Sequence, residues 1–396
     1  MNYIVFDDSS WETLLPLTFT RPVSEIRTGI LTIREKWEKY LQNGFSFLTK
    51  DYLSKKYPLQ KQSQNILING AVFPNKDLVD HVNMLDTDQA LVYQNDIVAA
   101  NLSEQKVTDF WNKELRDIDV IEYPKQNITK ITRPWQVFQY NGWAIEADFK
   151  ILTENRESQP VSTTNHVYGD NQLFLEPGAK MEFATINTSH GAVYIGADAE
   201  IMEGSVVRGP LAMCEHSVLK MLTRIYGPTT IGPYCKVGGE VNNSVLIGYS
   251  NKAHDGFLGN SVLGQWCNLG ADTNNSNLKN NYTEVKLWHY AEEKFINTGQ
   301  QFCGLIMGDH SKCGINTMFN TGTVVGVNAN IFGEGFPRNF IPSFTWGGIK
   351  GYKEYSLEKA LEVAEIVMKR RNMILDSDEK QILQEIFHQT KPYRQF

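Results

Sequence analysis

The sequence has no apolar run that approaches the roughly 18–20 residues a bilayer-crossing helix needs, so a membrane is not an expected partner. It also lacks a basic excess: 38 Lys and Arg stand against 45 Asp and Glu, a formal net charge of −7. With no broad positive field to attract a polyanion, nucleic acid is not an expected partner either. A phosphorylated small molecule needs only a local basic pocket, which this balance allows. Cysteine is scarce: Cys214, Cys235, Cys267, Cys303 and Cys313 are five in number and form no CxxC pair. An odd count without paired spacing fits buried, reduced thiols in a cytoplasmic protein. The opening residues, MNYIVFDDSSWE, have neither a basic start nor a long apolar stretch, so no secretory leader is expected.

What is present is a period. From Ile195 onward an apolar residue recurs every six positions: Ile195, Ile201, Val207, Met213, Leu219, Ile225, Ile231 and Val237. Four residues after each stand Ala199, Ser205, Leu211, Ser217, Thr223, Thr229, Cys235 and Val241, most of them small. Neither the helical period nor simple strand alternation gives that spacing. The physical reading is a triangular coil in which each hexad supplies a short strand and a turn. The apolar residue points into the prism, and coils stack by parallel backbone hydrogen bonds. The frame shifts after Asn242 and returns at Phe257, Leu263 and Leu269; it shifts again and resumes at Met307, Cys313, Phe319, Val325 and Ile331. The polar, aromatic segment from about Asn274 to Gly304 breaks the repeat and reads as a protruding loop.

A chain of 396 residues exceeds one ordinary core. The expected division is an α/β domain over 1–165, the repeat over 170–346 and a helical segment over 347–396. In the first part Tyr3–Phe6 and Ile66–Ile68 read as buried strands and Thr28–Tyr40 as a helix, which suggests an α/β layer. At the other end Ser356 and Asp376 are the expected N-caps of two helices that show no chemistry of their own.

The hexad pattern resembles the left-handed parallel β-helix of hexapeptide acyltransferases. That resemblance implies the handedness, a homotrimer, and an acyl-CoA lying between neighbouring coils. The stretch LLPLTFTRPVSEIRTGILTI resembles the phosphate-binding loop of sugar-1-phosphate nucleotidyltransferases, which have a Rossmann-like α/β fold. On that resemblance Arg21 and Arg27 are candidate phosphate contacts, and Asp7 and Asp8 are candidate ligands for Mg²⁺. The family's Gly-rich turn is replaced here by DDSS, its lysine by Val23 and its metal-binding Asp by Asn69.

The stretch GYSNKAHDGFLG, from Gly248 to Gly259, lies at the first frame break. Acetyl transfer to an amine requires a base as the nitrogen attacks the thioester, and histidine, with a pKa near 6.5, suits that task. This segment resembles the catalytic-histidine region of the bifunctional bacterial enzymes that make UDP-N-acetylglucosamine from glucosamine-1-phosphate. The resemblance implies His254 as base, Glu240 and Asn277 as polar positioners, and acetyl-CoA as donor. It also implies Arg208, Lys252 and Lys286 as contacts for a sugar phosphate or nucleotide sugar. The segments PLTFTRP, GEVNN, KAHDGFLGN and FIPSFTWGG suggest a divergent branch of that family, of Bacteroidetes type. Asn242 and Phe257 depart from its lysine and tyrosine.

Two other readings compete. One is a uridylyltransferase whose coil is only a trimer scaffold; the other is a non-catalytic nucleotide-sugar-binding trimer. A three-histidine zinc site of the γ-class carbonic anhydrase type is not expected. His216 and His254 are 38 residues apart, but Tyr249 and Gly259 stand where the other spacings require histidine.

Overall fold

The computed structural model describes residues 2–170 and 172–396. The chain forms two compact units. One comprises the chain up to Leu14, Thr20–Ile26 and Leu31–Arg133; the other comprises Leu15–Phe19, Arg27–Ile30 and Pro134–Phe396. The contact boundary therefore falls at Arg133–Pro134, ahead of the expected 165.

The first unit is built on a mixed sheet of six strands: β1 (Asn2–Phe6), β2 (Phe45–Leu48), β3 (Gln64–Asn69), β4 (Gln89–Tyr93), β5 (Asp96–Ser103) and β6 (Asp119–Glu122). Their spatial order is β2-β1-β3-β5-β4-β6. β1 runs parallel to β2 and β3, while β5 is antiparallel to β3. The strands ending at Phe6, Leu48 and Asn69 thus deliver the following residues to one edge, where β5 begins. That edge, outside the carboxyl ends of parallel strands, is where open α/β sheets bind ligands. The expected helix starts later than Thr28, at Ile33. Thr32 caps it by accepting from the Glu35 N–H, and the Glu35 carboxylate accepts from the Thr32 N–H.

The second unit is the coil. Its strands stack into three parallel faces of six, nine and ten strands, the last ending in one antiparallel strand. Ile195, Ile201, Val207, Met213, Leu219, Ile225, Ile231 and Val237 all lie in the buried core that the faces enclose. Helix Asn141–Thr153 packs against the nine-stranded face at strand Thr229–Ile231. Asn141 accepts from the Gly29 N–H (2.7 Å) and from the Thr230 hydroxyl (2.9 Å), and Asp148 accepts from the Ile30 N–H (2.8 Å). Gly29 has φ +87° and a Cβ there would lie 2.6 Å from the Asp148 carboxylate, so this close approach needs glycine. These bonds explain why Arg27–Ile30 belongs to the coil unit.

The frame departs from the sequence reading in one respect. The coil shortens at Gly238–Gly239, earlier than Asn242, so Val241 rather than Asn243, the next step of six, is the inward residue on the six-stranded face. Val241 pairs with Leu258, which is 1% exposed. Leu258, not Phe257, therefore fills the core, and Phe257 faces outward beside Glu240. A one-residue slip moves a side chain to the opposite face of a strand. The segment 274–304 does leave the coil, and it carries an antiparallel hairpin, Lys286–His289 with Lys294–Asn297. Helices Leu357–Lys369 and Ser377–Gln389 follow the coil. Asp376 caps the second by accepting from the Glu379 N–H, whereas Ser356 makes no such bond. No helix among the described residues is long and apolar enough to cross a membrane. All five cysteines are buried thiols outside any disulfide.

Candidate active site

His254 sits in the turn between strands Asn251–Lys252 and Phe257–Gly259. The first strand belongs to the ten-stranded face and the second to the six-stranded face, so His254 occupies the corner where the two meet. Glycines shape this corner. Gly239, one rung before, has φ +74°, and a Cβ there would lie 2.8 Å from the Asp255 Cα. Gly256 has φ +116°, and its Cβ would lie 2.2 Å from the Thr273 carbonyl oxygen. The backbone is thus pinned from both sides, while the His254 side chain is exposed.

On the six-stranded face the corner meets a polar cluster. Glu240 accepts from the Tyr226 hydroxyl at 2.6 Å, and the Arg224 guanidinium lies 3.9 Å from the same carboxylate and 4.0 Å from Asp255. Burial, reinforced by the Glu240 bond, pushes the Tyr226 phenol up to about 12. Asn277 donates to the Asn260 side-chain carbonyl at 2.8 Å. A Cβ at Gly259 would lie 2.6 Å from the Asn277 amide nitrogen, so the bare backbone there admits it. Glu240 and Asn277 therefore flank the strand that His254 leads into. Arg208 is exposed on the same face but three rungs from Phe257–Gly259, roughly 14 Å at strand spacing. Arg224, which pairs in register with Glu240, is the nearer cation. The sequence resemblance points to Arg208, whereas pairing across rungs sets Arg224 beside Glu240.

On the ten-stranded face the same corner opens into a cavity of about 580 Å³ whose wall includes His254, Lys236, Lys312, Arg370 and Arg371, with no carboxylate. Arg370 and Arg371 directly follow helix Leu357–Lys369, and Arg371 donates to the Asn251 side chain at 3.2 Å. Burial presses the Lys312 ammonium down to about 8. Burial and then the nearby Arg371 lower that of Lys236. The helices expected to carry no chemistry thus supply two cations to the wall around His254.

Four other sequence candidates take different places in the structure. Lys252 faces the interior: it pairs with Val237, is 2% exposed, and donates to the His254 carbonyl at 2.5 Å. It braces the corner and is not placed to hold a substrate. Arg21 is 2% exposed and donates to the Thr20 hydroxyl; Arg27 is 9% exposed and donates to the Ile30 carbonyl. Neither guanidinium stands open to a ligand. Lys286 is exposed, but on the hairpin, whose backbone runs against Gly322 on a later rung.

The residues suggested for Mg²⁺ do not fit it. Asp7 is buried and accepts from the Val23 N–H (2.8 Å) and the Thr49 hydroxyl (2.5 Å). Burial lifts its carboxyl to about 7. Asp8 accepts from the Ser10 N–H and the Asn69 amide and is paired with Lys130 at 2.6 Å. No cluster of three or more His, Cys, Asp or Glu among the described residues is placed to hold a metal ion.

These features define a mixed α/β domain followed in sequence by a parallel β-helix. Residues 3–157 match the family of sugar nucleotidyl transferases. No curated protein matches the chain. Among solved structures, the polySia-specific acetyltransferase NeuO aligns at 12% identity over 49% of this chain and 86% of its own, with a TM-score of 0.24. An Arabidopsis UDP-N-acetylglucosamine acyltransferase aligns at 15% identity over 54% and 80%, with a TM-score of 0.25.

Proposed function

We propose that the protein is a sugar-phosphate N-acetyltransferase that transfers acetyl from acetyl-CoA to the amine of glucosamine-1-phosphate. The nucleotidyltransferase-like domain would serve the same UDP-sugar synthesis. The observation that carries this reading is the position of His254, at a corner shared by a carboxylate-free basic cavity and a polar face. The cavity suits the phosphates of the donor, because charge-assisted hydrogen bonds from Lys and Arg favour phosphate oxygens. The face carrying Arg224, Glu240 and Asn277 suits an amino-sugar phosphate.

In this reaction the His254 imidazole takes a proton as the amine nitrogen attacks the thioester carbonyl. A C–N bond forms, the C–S bond breaks, and the proton passes to the departing thiolate. Glu240 and Asn277 hold the amine, Arg224 contacts the phosphate, and Arg208 serves a larger acceptor if one binds. Lys252 fixes the backbone of the base from within. The resemblance to hexapeptide acyltransferases supports a homotrimer, the unpaired cysteines support the cytoplasm, and the quoted motifs support the Bacteroidetes-type branch. The test is to incubate the protein with acetyl-CoA and a panel of amino-sugar 1-phosphates and weigh the products. A gain of one acetyl on glucosamine-1-phosphate is expected; no acetylation of any acceptor would reject the reading.

The family match over 3–157 favours a second reading, uridylyl transfer with the coil as a trimer scaffold. Pyrophosphate release from UTP and a sugar 1-phosphate, without thiol release from acetyl-CoA, would mark it.

A further inference from the structure

Asp8, Asn69 and Asp96 come together at the edge of the first sheet where β1 and β3 end and β5 begins. Lys130 reaches into this spot. Its ammonium lies 2.6 Å from Asp8 Oδ2 and 2.6 Å from Asp96 Oδ2, and only 16% of its side chain is exposed. Its backbone is also fixed. Lys130 forms an antiparallel bridge with Val72, and the flanking bonds run from the Phe73 N–H to the Thr129 carbonyl and from the Ile131 N–H to the Ala71 carbonyl. The Asn69 amide turns its N–H toward Asp8 (2.9 Å), while its oxygen accepts from the Ala71 N–H (3.0 Å). An amide N–H is a donor and ligates no cation.

We infer that the Lys130 ammonium is the resident cation of the first domain, held between Asp8 and Asp96 in place of a divalent ion. Two carboxylate oxygens at hydrogen-bond distance on a spot at the ligand-binding edge are what an oxygen-seeking cation requires. Here that requirement is met from within the chain. The charge state agrees with the geometry: although burial opposes ionisation of both groups, the pairing lowers the Asp8 carboxyl and raises the Lys130 ammonium. The domain therefore departs from magnesium-dependent phosphate chemistry at this position, whatever the coil catalyses. The inference is independent of the acetyl-transfer reading.

Mn²⁺ binding to the full chain, followed by electron paramagnetic resonance, tests it. Four proteins suffice: wild type, Asp8→Asn, Lys130→Met, and Lys130→Met with Asp8→Asn. The wild type is expected to show no Asp8-dependent site tighter than about 1 mM. Lys130→Met is expected to gain a site at least about tenfold tighter, which the added Asp8→Asn abolishes. An Asp8-dependent Mn²⁺ site in the wild type would overturn the inference. So would a folded Lys130→Met that gains none, judged by a far-UV spectrum and melting curve matching the wild type. Should Lys130→Met fail to fold, Lys130→Gln keeps the shape of the side chain without its charge, and the same two outcomes decide.

Discussion

Lys252 shows how one residue's place in a repeat changes its role. Its neighbours read as a site motif, but its register with Val237 sends it into the core, where it holds the His254 carbonyl. Burial presses its ammonium down to about 8 from an ordinary 10.5. The sign follows: a folded pKa below the unfolded value means that the charged form is disfavoured in the fold. That destabilisation is full below about pH 8 and is relieved as pH rises towards 10.5. Lys252→Met should therefore raise the melting temperature at pH 7, by on the order of 1 kcal/mol of stability. The advantage should shrink between pH 8 and pH 10. An equal gap at both pH values would contradict the burial argument. The same register explains what the sequence left illegible here. The hexads show which residues face inward along a regular stretch, and they do so correctly from Ile195 to Val237. They do not reveal that Gly238–Gly239 shortens a corner, because two glycines carry no apolar mark. From that point Phe257 and Leu258 exchange places.

At the scale of elements, the coil strands supply rigid placement and the helix after the coil supplies charge. The periodic strands were legible because each repeats one physical demand, an apolar residue inside the prism. The cavity was not. Arg371 and Asn251 are 120 residues apart, and no local pattern announces that a C-terminal helix will lie on a particular face. Arg224 was hidden in a similar way, since its relation to Glu240 runs across rungs rather than along the chain. If the cavity takes the donor's phosphates, Arg370→Ala and Arg371→Ala should each raise the KM for acetyl-CoA by about tenfold, with kcat little changed. Steady-state kinetics at fixed ionic strength would read this. A fall in kcat at constant KM would place these arginines elsewhere in the cycle. The glycine corner offers a second check. Gly256→Ala forces a side chain into a positive-φ position already in contact with Thr273, so it should lower the melting temperature and the acetylation rate together.

For the whole molecule, the net charge of −7 and the carboxylate-free wall around His254 describe different scales. An acidic protein repels polyanions in general and can still admit one phosphorylated donor locally. The two compact units carry separate expectations: an acetyl-transfer corner in the coil, and in the first domain a ligand edge whose cation is Lys130. The domain order was legible from the hexads and from the strand-and-loop pattern before them. The contact boundary at Arg133–Pro134 was not, because helix Asn141–Thr153 continues the α/β pattern in sequence while packing on the coil.

In the proposed acetyl transfer His254 is the base. Thiol release from acetyl-CoA with glucosamine-1-phosphate, compared between the wild type and His254→Ala, tests it most directly. The expected result is a loss of at least about 100-fold in rate, with acetyl-CoA binding unchanged. An undiminished rate in His254→Ala would contradict it.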